Sequence, residues 1–191
     1  MDTPSDTPRP ENMSVEDLIQ RNKRYVGEAH PKTYTLLQMF KGSFFNGPHT
    51  LIIACLDSRC DPYKIFNLNP PDAVVIRNPG GRVSAALSSV ATLDSRFDLE
   101  KIVLLQHSDC GTSHVTEELV DKRIDTARSP HDPESIKMGN IVKELMISKG
   151  QAGVKADLEM LRRQPFLRES LVRNSVGFWL DTFSGVVKVV E

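Results

Sequence analysis

The chain has 191 residues, with 24 Lys and Arg against 25 Asp and Glu and a formal charge of −1. That length predicts one domain with room for an extra arm and a core of useful size, and the even charge balance argues against a nucleic-acid partner, which would ask for a basic patch or stripe. No apolar run approaches the ~20 residues needed to span a bilayer, so no membrane partner is expected. Met1 to Pro10 offers neither a basic start nor an apolar stretch, which predicts no secretory leader, and the acids Asp2, Asp6 and Glu11 speak against a transit peptide. The three cysteines, at 55, 60 and 110, are too few and odd in number for a disulfide framework. Reduced thiols, and so a cytoplasmic location, are the expectation.

Residues 1–12, rich in Pro, Thr and Asp, read as a disordered tail. Ser14 then caps a helical pattern of Val15, Leu18, Ile19 and Val26 that ends near Gly27, with Asp17 in the place where a capping box usually has Glu or Gln. A short apolar stretch, Leu36 to Phe45, precedes a loop of Asn46, Gly47 and Pro48. Three continuous apolar runs follow: Thr50 to Cys55, Asp72 to Ile76 and Lys101 to Gln106. They read as strands covered on both faces. Residues 61–67 offer a short helix with Pro62 in its first turn. Val83, Leu87, Val90 and Leu93 give Arg82 to Phe97 helical spacing. Strands alternating with helices predict right-handed crossovers and an α/β fold with a mainly parallel sheet, order near 2-1-3-4, flanked by helices. After residue 111 the pattern is helical, broken by Pro130, Pro133 and Pro165. Val176 to Phe183 and Val186 to Val190, joined around Ser184-Gly185, predict a C-terminal strand pair. The expected division is a tail at 1–12, a helical arm at 13–48 and an α/β domain at 49–191.

The chemistry gathers where the strands end. Cys55 closes the first strand, and His107 to Cys110 follows the third. In an open α/β sheet, ligands bind beyond the carboxyl ends of the strands where the strand order reverses. A 2-1-3 order makes the first and third strands neighbours, so Cys55, His107 and Cys110 converge from separate loops. Two thiolates and an imidazole suit one zinc ion per chain, with the fourth position left for water. A carboxylate, Asp57, lies beside Cys55, and Arg59 stands two residues further on. Such a carboxylate can orient a zinc-bound hydroxide while the forked guanidinium holds it.

Cys55-Leu-Asp57-Ser-Arg59 followed by His107-Ser-Asp-Cys110-Gly111 resembles the β-class carbonic anhydrases, whose hallmark is C-x-D-x-R and then H-x-x-C. The resemblance extends to Arg77-Asn78-Pro79-Gly80-Gly81, similar to that family's R-N-A-G stretch with Pro79 in place of Ala, and to Gly177 through Gly185. It covers roughly residues 49–190. It implies a zinc enzyme that interconverts CO2 and bicarbonate, with Cys55, His107 and Cys110 as zinc ligands, Asp57 and Arg59 as an orienting dyad, and the Gly111 N–H in contact with bicarbonate. It also implies that Asp57 becomes a fourth zinc ligand under some conditions, and that the chain self-associates as a dimer or higher through its N-terminal helix. Compact relatives that hydrolyse carbonyl sulfide or carbon disulfide use the same ligand set, so these substrates stand as the alternative. A purely structural zinc module is a third reading, but it would require four committed ligands. Cys60 reads as a free thiol and His114 as an ordinary polar residue rather than a proton relay. Phe178 and Trp179 read as core or interface.

Overall fold

The computed structural model describes residues 13–28, 48–69, 72–146 and 150–190. The expected tail at 1–12, the apolar stretch Leu36 to Phe45 and the loop residues Asn46 and Gly47 lie outside the described residues. The chain divides into two units, Met1–Phe45 and Asn46–Glu191.

The described part of the first unit is one helix, α1 (Val15–Glu28). Its start is fixed by a reciprocal cap. The Asp17 N–H donates to Ser14 Oγ at 3.1 Å, and the Ser14 N–H donates to Asp17 Oδ2 at 2.9 Å. Aspartate thus performs the role a capping box usually gives to glutamate. Within this unit Val15, Leu18, Ile19 and Val26 all remain exposed, between 49 and 66 %.

The second unit is a five-stranded sheet in the order β2-β1-β3-β4-β5, where β1 is Thr50–Cys55, β2 Val74–Asn78, β3 Lys101–His107, β4 Val176–Leu180 and β5 Val187–Val190. The pairs β1–β2, β1–β3 and β3–β4 are parallel, and β4–β5 is antiparallel. The helices are α2 (Pro62–Ile65), α3 (Leu87–Phe97), α4 (Glu117–Asp125), α5 (Pro133–Glu144), α6 (Ala152–Arg162) and α7 (Glu169–Arg173). Among the described residues, no helix is long and apolar enough to cross a membrane. Alternation along the strands feeds two cores. Leu51, Ile53, Ile102 and Leu104 pack with Val90, Val154, Leu158 and Leu161 in one. Ile52, Ala54, Val103 and Leu105 pack with Cys60 and Leu180 in the other. Burying one such Leu or Ile side chain contributes roughly 1.5–3 kcal/mol.

Among the boundaries that differ from those read off the sequence, the changes in the second strand, the 82–97 helix and the fourth strand each occur where a polar side chain has structural employment. The second strand starts at Val74, since the Asp72 carboxylate closes a turn by accepting from the Asn69 N–H at 2.7 Å, and it runs on through Arg77 and Asn78. The helix expected over Arg82 to Phe97 begins only at Leu87. Ahead of it Asn78 grips the Arg82 main chain, accepting from its N–H at 2.7 Å and donating to its carbonyl at 2.9 Å. The fourth strand stops at Leu180, where the Asp181 carboxylate accepts from the Phe183 N–H at 3.0 Å and the hairpin turns through Gly185 at φ +74°. The prolines fall as helix breakers should: Pro133 is the first residue of α5, behind an Asp132 cap, and Pro130 and Pro165 lie between helices.

Gly81 ties the two central strands to the loop after β2. At φ +63°, its missing Cβ would stand 3.0 Å from the Cys55 nitrogen and 3.1 Å from both the Ala54 carbonyl carbon and the Leu105 oxygen. All three are backbone atoms, which cannot swing aside. Gly81→Ala is expected to lower unfolding stability by about 1–3 kcal/mol. An unchanged midpoint and slope in urea titration would contradict this account of the contact.

Candidate metal centre

The parallel register sets Ala54 opposite Leu105, so β1 and β3 present their carboxyl ends side by side. Cys55 is the last residue of β1 and His107 the last of β3. Cys110 returns to them through a tight turn in which Asp109 takes a left-handed conformation, φ +52°. That turn is moored to the end of β4: the Ser108 N–H donates to the Leu180 carbonyl at 2.9 Å, and the Thr182 N–H donates to Ser108 Oγ at 2.9 Å. Cys55 Sγ, Cys110 Sγ and a ring nitrogen of His107 all lie within 4.8 Å of one another, and all three residues are buried.

The His107 ring is prepared as a ligand. Nδ1 lies 2.8 Å from the Ser108 carbonyl oxygen, which can only accept, so Nδ1 carries the proton. The lone pair is thereby assigned to Nε2, which is buried and has no hydrogen-bond partner. A buried, orphaned imidazole nitrogen beside two sulfurs 3.7 Å apart is the arrangement a soft divalent cation completes. The residues therefore fit a zinc ion. The Cys55–Cys110 hydrogen bond raises the Cys55 thiol, with burial adding to it, and the same bond draws Cys110 well below the usual thiol range. Burial disfavours the His107 imidazolium, but Cys110, the Ser108 carbonyl and Asp57 together outweigh it and raise His107. A cation bound here needs both sulfurs as thiolates and His107 neutral, so its binding would release protons from the group.

Asp57 stands outside this group of three and is engaged by Arg59. Oδ1 accepts from the Arg59 main-chain N–H at 2.9 Å and from Nε at 3.0 Å, and Oδ2 accepts from Nη2 at 2.8 Å. These bonds hold the Asp57 carboxyl at about 2. Two contributors escaped the sequence reading. Asp109 takes the far side of Arg59, its Oδ2 accepting from Nη1 at 2.8 Å and its carbonyl from Nη2 at 2.9 Å. Its only sequence signal is an acid at a turn position where Asp and Asn tolerate a left-handed backbone. Arg77 donates to the carbonyls of Cys55 at 3.1 Å and Asp57 at 2.7 Å, bracing the loop from β2. Gly111 opens a 3-10 turn after Cys110 and is exposed. Cys60 is fully buried but outside the group of three, and His114 is exposed, 3.9 Å from Asp109. Phe178 and Trp179 pack against the two cores.

A mainly parallel α/β sheet with a Cys, His and Cys group at its switch point is an arrangement shared with a known class of proteins. The family model for carbonic anhydrase matches residues 50–187, and the chain belongs to that family. It is 35% identical over 82 residues to "Beta-carbonic anhydrase 1" of Mycobacterium tuberculosis, covering 41% of this chain and 50% of that protein. It is 31% identical over 78 residues to the "Carbon disulfide hydrolase" of an Acidianus strain, covering 40% of this chain and 38% of that protein. The chain thus spans about half the length, or less, of these curated relatives. Its fold also matches a solved carbonic anhydrase from Glaciozyma antarctica with a TM-score of 0.69 at 20% identity, over 99% of both chains.

Two outcomes follow from this geometry. Elemental analysis of purified protein is expected to find about one zinc per chain, and Cys110→Ser to lose most of it. Full zinc occupancy in that variant would remove Cys110 from the ligand set. Asp57 is held below its ordinary ~3.9, so whatever the pair contributes to stability is complete above pH ~4 and is lost as pH falls through about 2. Carboxyl carbon NMR should find Asp57 ionised throughout the neutral range, and a midpoint near 4 would show the Arg59 pair to be absent in solution.

Proposed function

We propose that this chain is a zinc-dependent carbonic anhydrase, catalysing the reversible hydration of CO2 to bicarbonate. The observation that carries the reading is the buried, partnerless His107 Nε2 between Cys55 and Cys110, with a paired carboxylate two residues from Cys55. Zinc held by Cys55, His107 and Cys110 would supply Lewis-acid activation of a water molecule. Three protein ligands suit a catalytic site, which keeps a position open, better than a structural site, which commits four.

The chain's own residues then divide the remaining tasks. Asp57 Oδ1 receives two hydrogen bonds from Arg59, whereas Oδ2 receives one and keeps acceptor capacity. Held at about 2, the carboxylate stays ionised near neutrality and serves as a fixed acceptor that orients the attacking water; it does not take the water's proton. Asp57 released from Arg59 would be a candidate fourth ligand. The Gly111 N–H, on an exposed turn directly after Cys110, would donate to a bicarbonate oxygen. The similarity to a carbon disulfide hydrolase supports a second reading, hydrolysis of carbonyl sulfide or carbon disulfide at the same residues.

The domain at 49–191 would hold this site and the region 13–48 would serve as an arm. The exposed stripe of α1 supports self-association as a dimer or higher, because a short amphipathic helix needs a surface to cover it. The three free cysteines, two of them paired sulfurs 3.7 Å apart, support a reducing compartment such as the cytoplasm.

Stopped-flow measurement of CO2 hydration beside carbonyl sulfide and carbon disulfide hydrolysis, on one zinc-loaded sample, tests the assignment. Hydration is expected to dominate, and turnover of the sulfur compounds alone would transfer the assignment to the second reading. Asp57→Asn should keep its zinc yet lose about 10- to 100-fold in rate. Unchanged turnover would make Asp57 a bystander.

A further inference from the structure

The Arg59 guanidinium is held from two sides. Nε and Nη2 meet the two oxygens of Asp57, while Nη1 meets Asp109 Oδ2 at 2.8 Å and Nη2 also meets the Asp109 carbonyl at 2.9 Å. Four of its five N–H groups are therefore committed, divided evenly between Asp57 and Asp109. A planar fork fixed at both ends has little freedom to rotate. A fork held by Asp57 alone could swing on its flexible stem and carry the carboxylate with it. The exposure of Arg59 and Asp109, 44 and 47 %, sharpens the point. An exposed ion pair of this kind adds little to global stability, so its effect falls on geometry.

The backbone explains why the clamp is available. Asp109 lies between His107 and Cys110 at φ +52°, and that left-handed turn presents both its carbonyl and its carboxylate to Arg59. The same turn returns the chain to Cys110. The bracing of Arg59 and the placement of a ligand thus come from one four-residue segment.

We propose that Asp109 is a positioning residue: it clamps Arg59 from the far side so that Arg59 keeps the Asp57 carboxylate in its two-point pair and away from the sulfurs of Cys55 and Cys110. This rests on the assignment of Cys55, His107 and Cys110 as a catalytic zinc centre. Once Asp109 lets go, Arg59 gains freedom, Asp57 loses its fixed orientation, and a carboxylate two residues from Cys55 becomes a competing ligand for the open metal position.

The test compares wild type with Asp109→Gly, which accepts φ +52° and removes only the side chain, and with Asp109→Asn, which tolerates the same backbone and keeps an oxygen acceptor. In metal-free protein, NMR of the arginine side chains is expected to show slow rotation of the Arg59 guanidinium in wild type and in Asp109→Asn, and faster rotation in Asp109→Gly, which loses the carboxylate bond to Nη1 and keeps only the main-chain carbonyl bond on the far side. Cobalt-substituted protein is expected to show an altered visible spectrum in Asp109→Gly, restored towards wild type when Asp57→Asn is added. Zinc-loaded Asp109→Gly should bind its full metal and lose about 10-fold in kcat, with Asp109→Asn recovering most of it. Fast Arg59 rotation already in wild type would overturn the clamp, as would wild-type rotation and spectrum in Asp109→Gly. Loss of zinc in Asp109→Gly would also overturn it, by reducing Asp109 to a support for the Cys110 turn. A wild-type chain that holds Arg59 rigid but neither binds metal nor hydrates CO2 would sink the zinc-enzyme assignment and leave the clamp standing as a structural fact.

Discussion

Parallel pairing of β1 with β3, with Ala54 set against Leu105, is the constraint from which the site descends. Cys55 and His107 are the terminal residues of those strands, so the register decides whether a sulfur and an imidazole meet. A slip of β1 by one residue would also turn Leu51 and Ile53 out of one core and into the other. Both faces are apolar, so a slipped strand would stay buried but would set Ile52 and Ala54 where Leu51 and Ile53 fit, and the misfit in shape and volume is what specifies the register. The functional geometry therefore draws its accuracy from apolar packing, not from contacts among the site residues. β4 extends the same arrangement, with Leu180 beside His107 and its carbonyl receiving the Ser108 N–H.

Beneath the group formed by Cys55, His107 and Cys110 runs a second layer of polar fixtures. Gln106, one residue before His107, donates to the fully buried Asp157 carboxylate at 2.6 Å. Asp157 also accepts from the Val83 N–H at 3.2 Å and faces Arg82 at 3.1 Å. Burial pushes the Asp157 carboxyl up, and only these partners make its charge tolerable. Removing one partner of such a pair costs about 3–5 kcal/mol, since the other charge is left uncompensated. The cluster joins α6, β3 and the loop after β2, the elements that bear Asp157, His107 and Gly81.

The strands and the meeting of Cys55, His107 and Cys110 were legible because they depend on local signals. Apolar runs ending in Cys55 and His107 announce buried strands and their carboxyl ends, and the Ser14–Asp17 cap announces a helix start. The contributions of Arg77, Asn78 and Asp109 were not legible as such. Each acts by gripping main-chain groups or a side chain distant in sequence, and nothing in its neighbours along the chain marks the partner. Arg77 and Asn78 lengthen a strand that hydropathy alone ends at Ile76, because both find main-chain partners, Arg77 on the Cys55 and Asp57 carbonyls and the buried Asn78 on Arg82. Asp109 fills an unspecified position of the H-x-x-C spacing, and only the left-handed turn sets it against Arg59.

Cys60 carries a practical consequence. Its side chain is fully buried, and burial pushes the thiol up to about 11, so neither an accessible sulfur nor a thiolate is on offer in the folded chain. An alkylating reagent would reach it only when the segment between β1 and α2 opens, and that segment carries Asp57 and Arg59. In protein whose other two cysteines are occupied, the speed of Cys60 labelling is therefore a clock for local opening of the site loop, read at a residue the chain already carries.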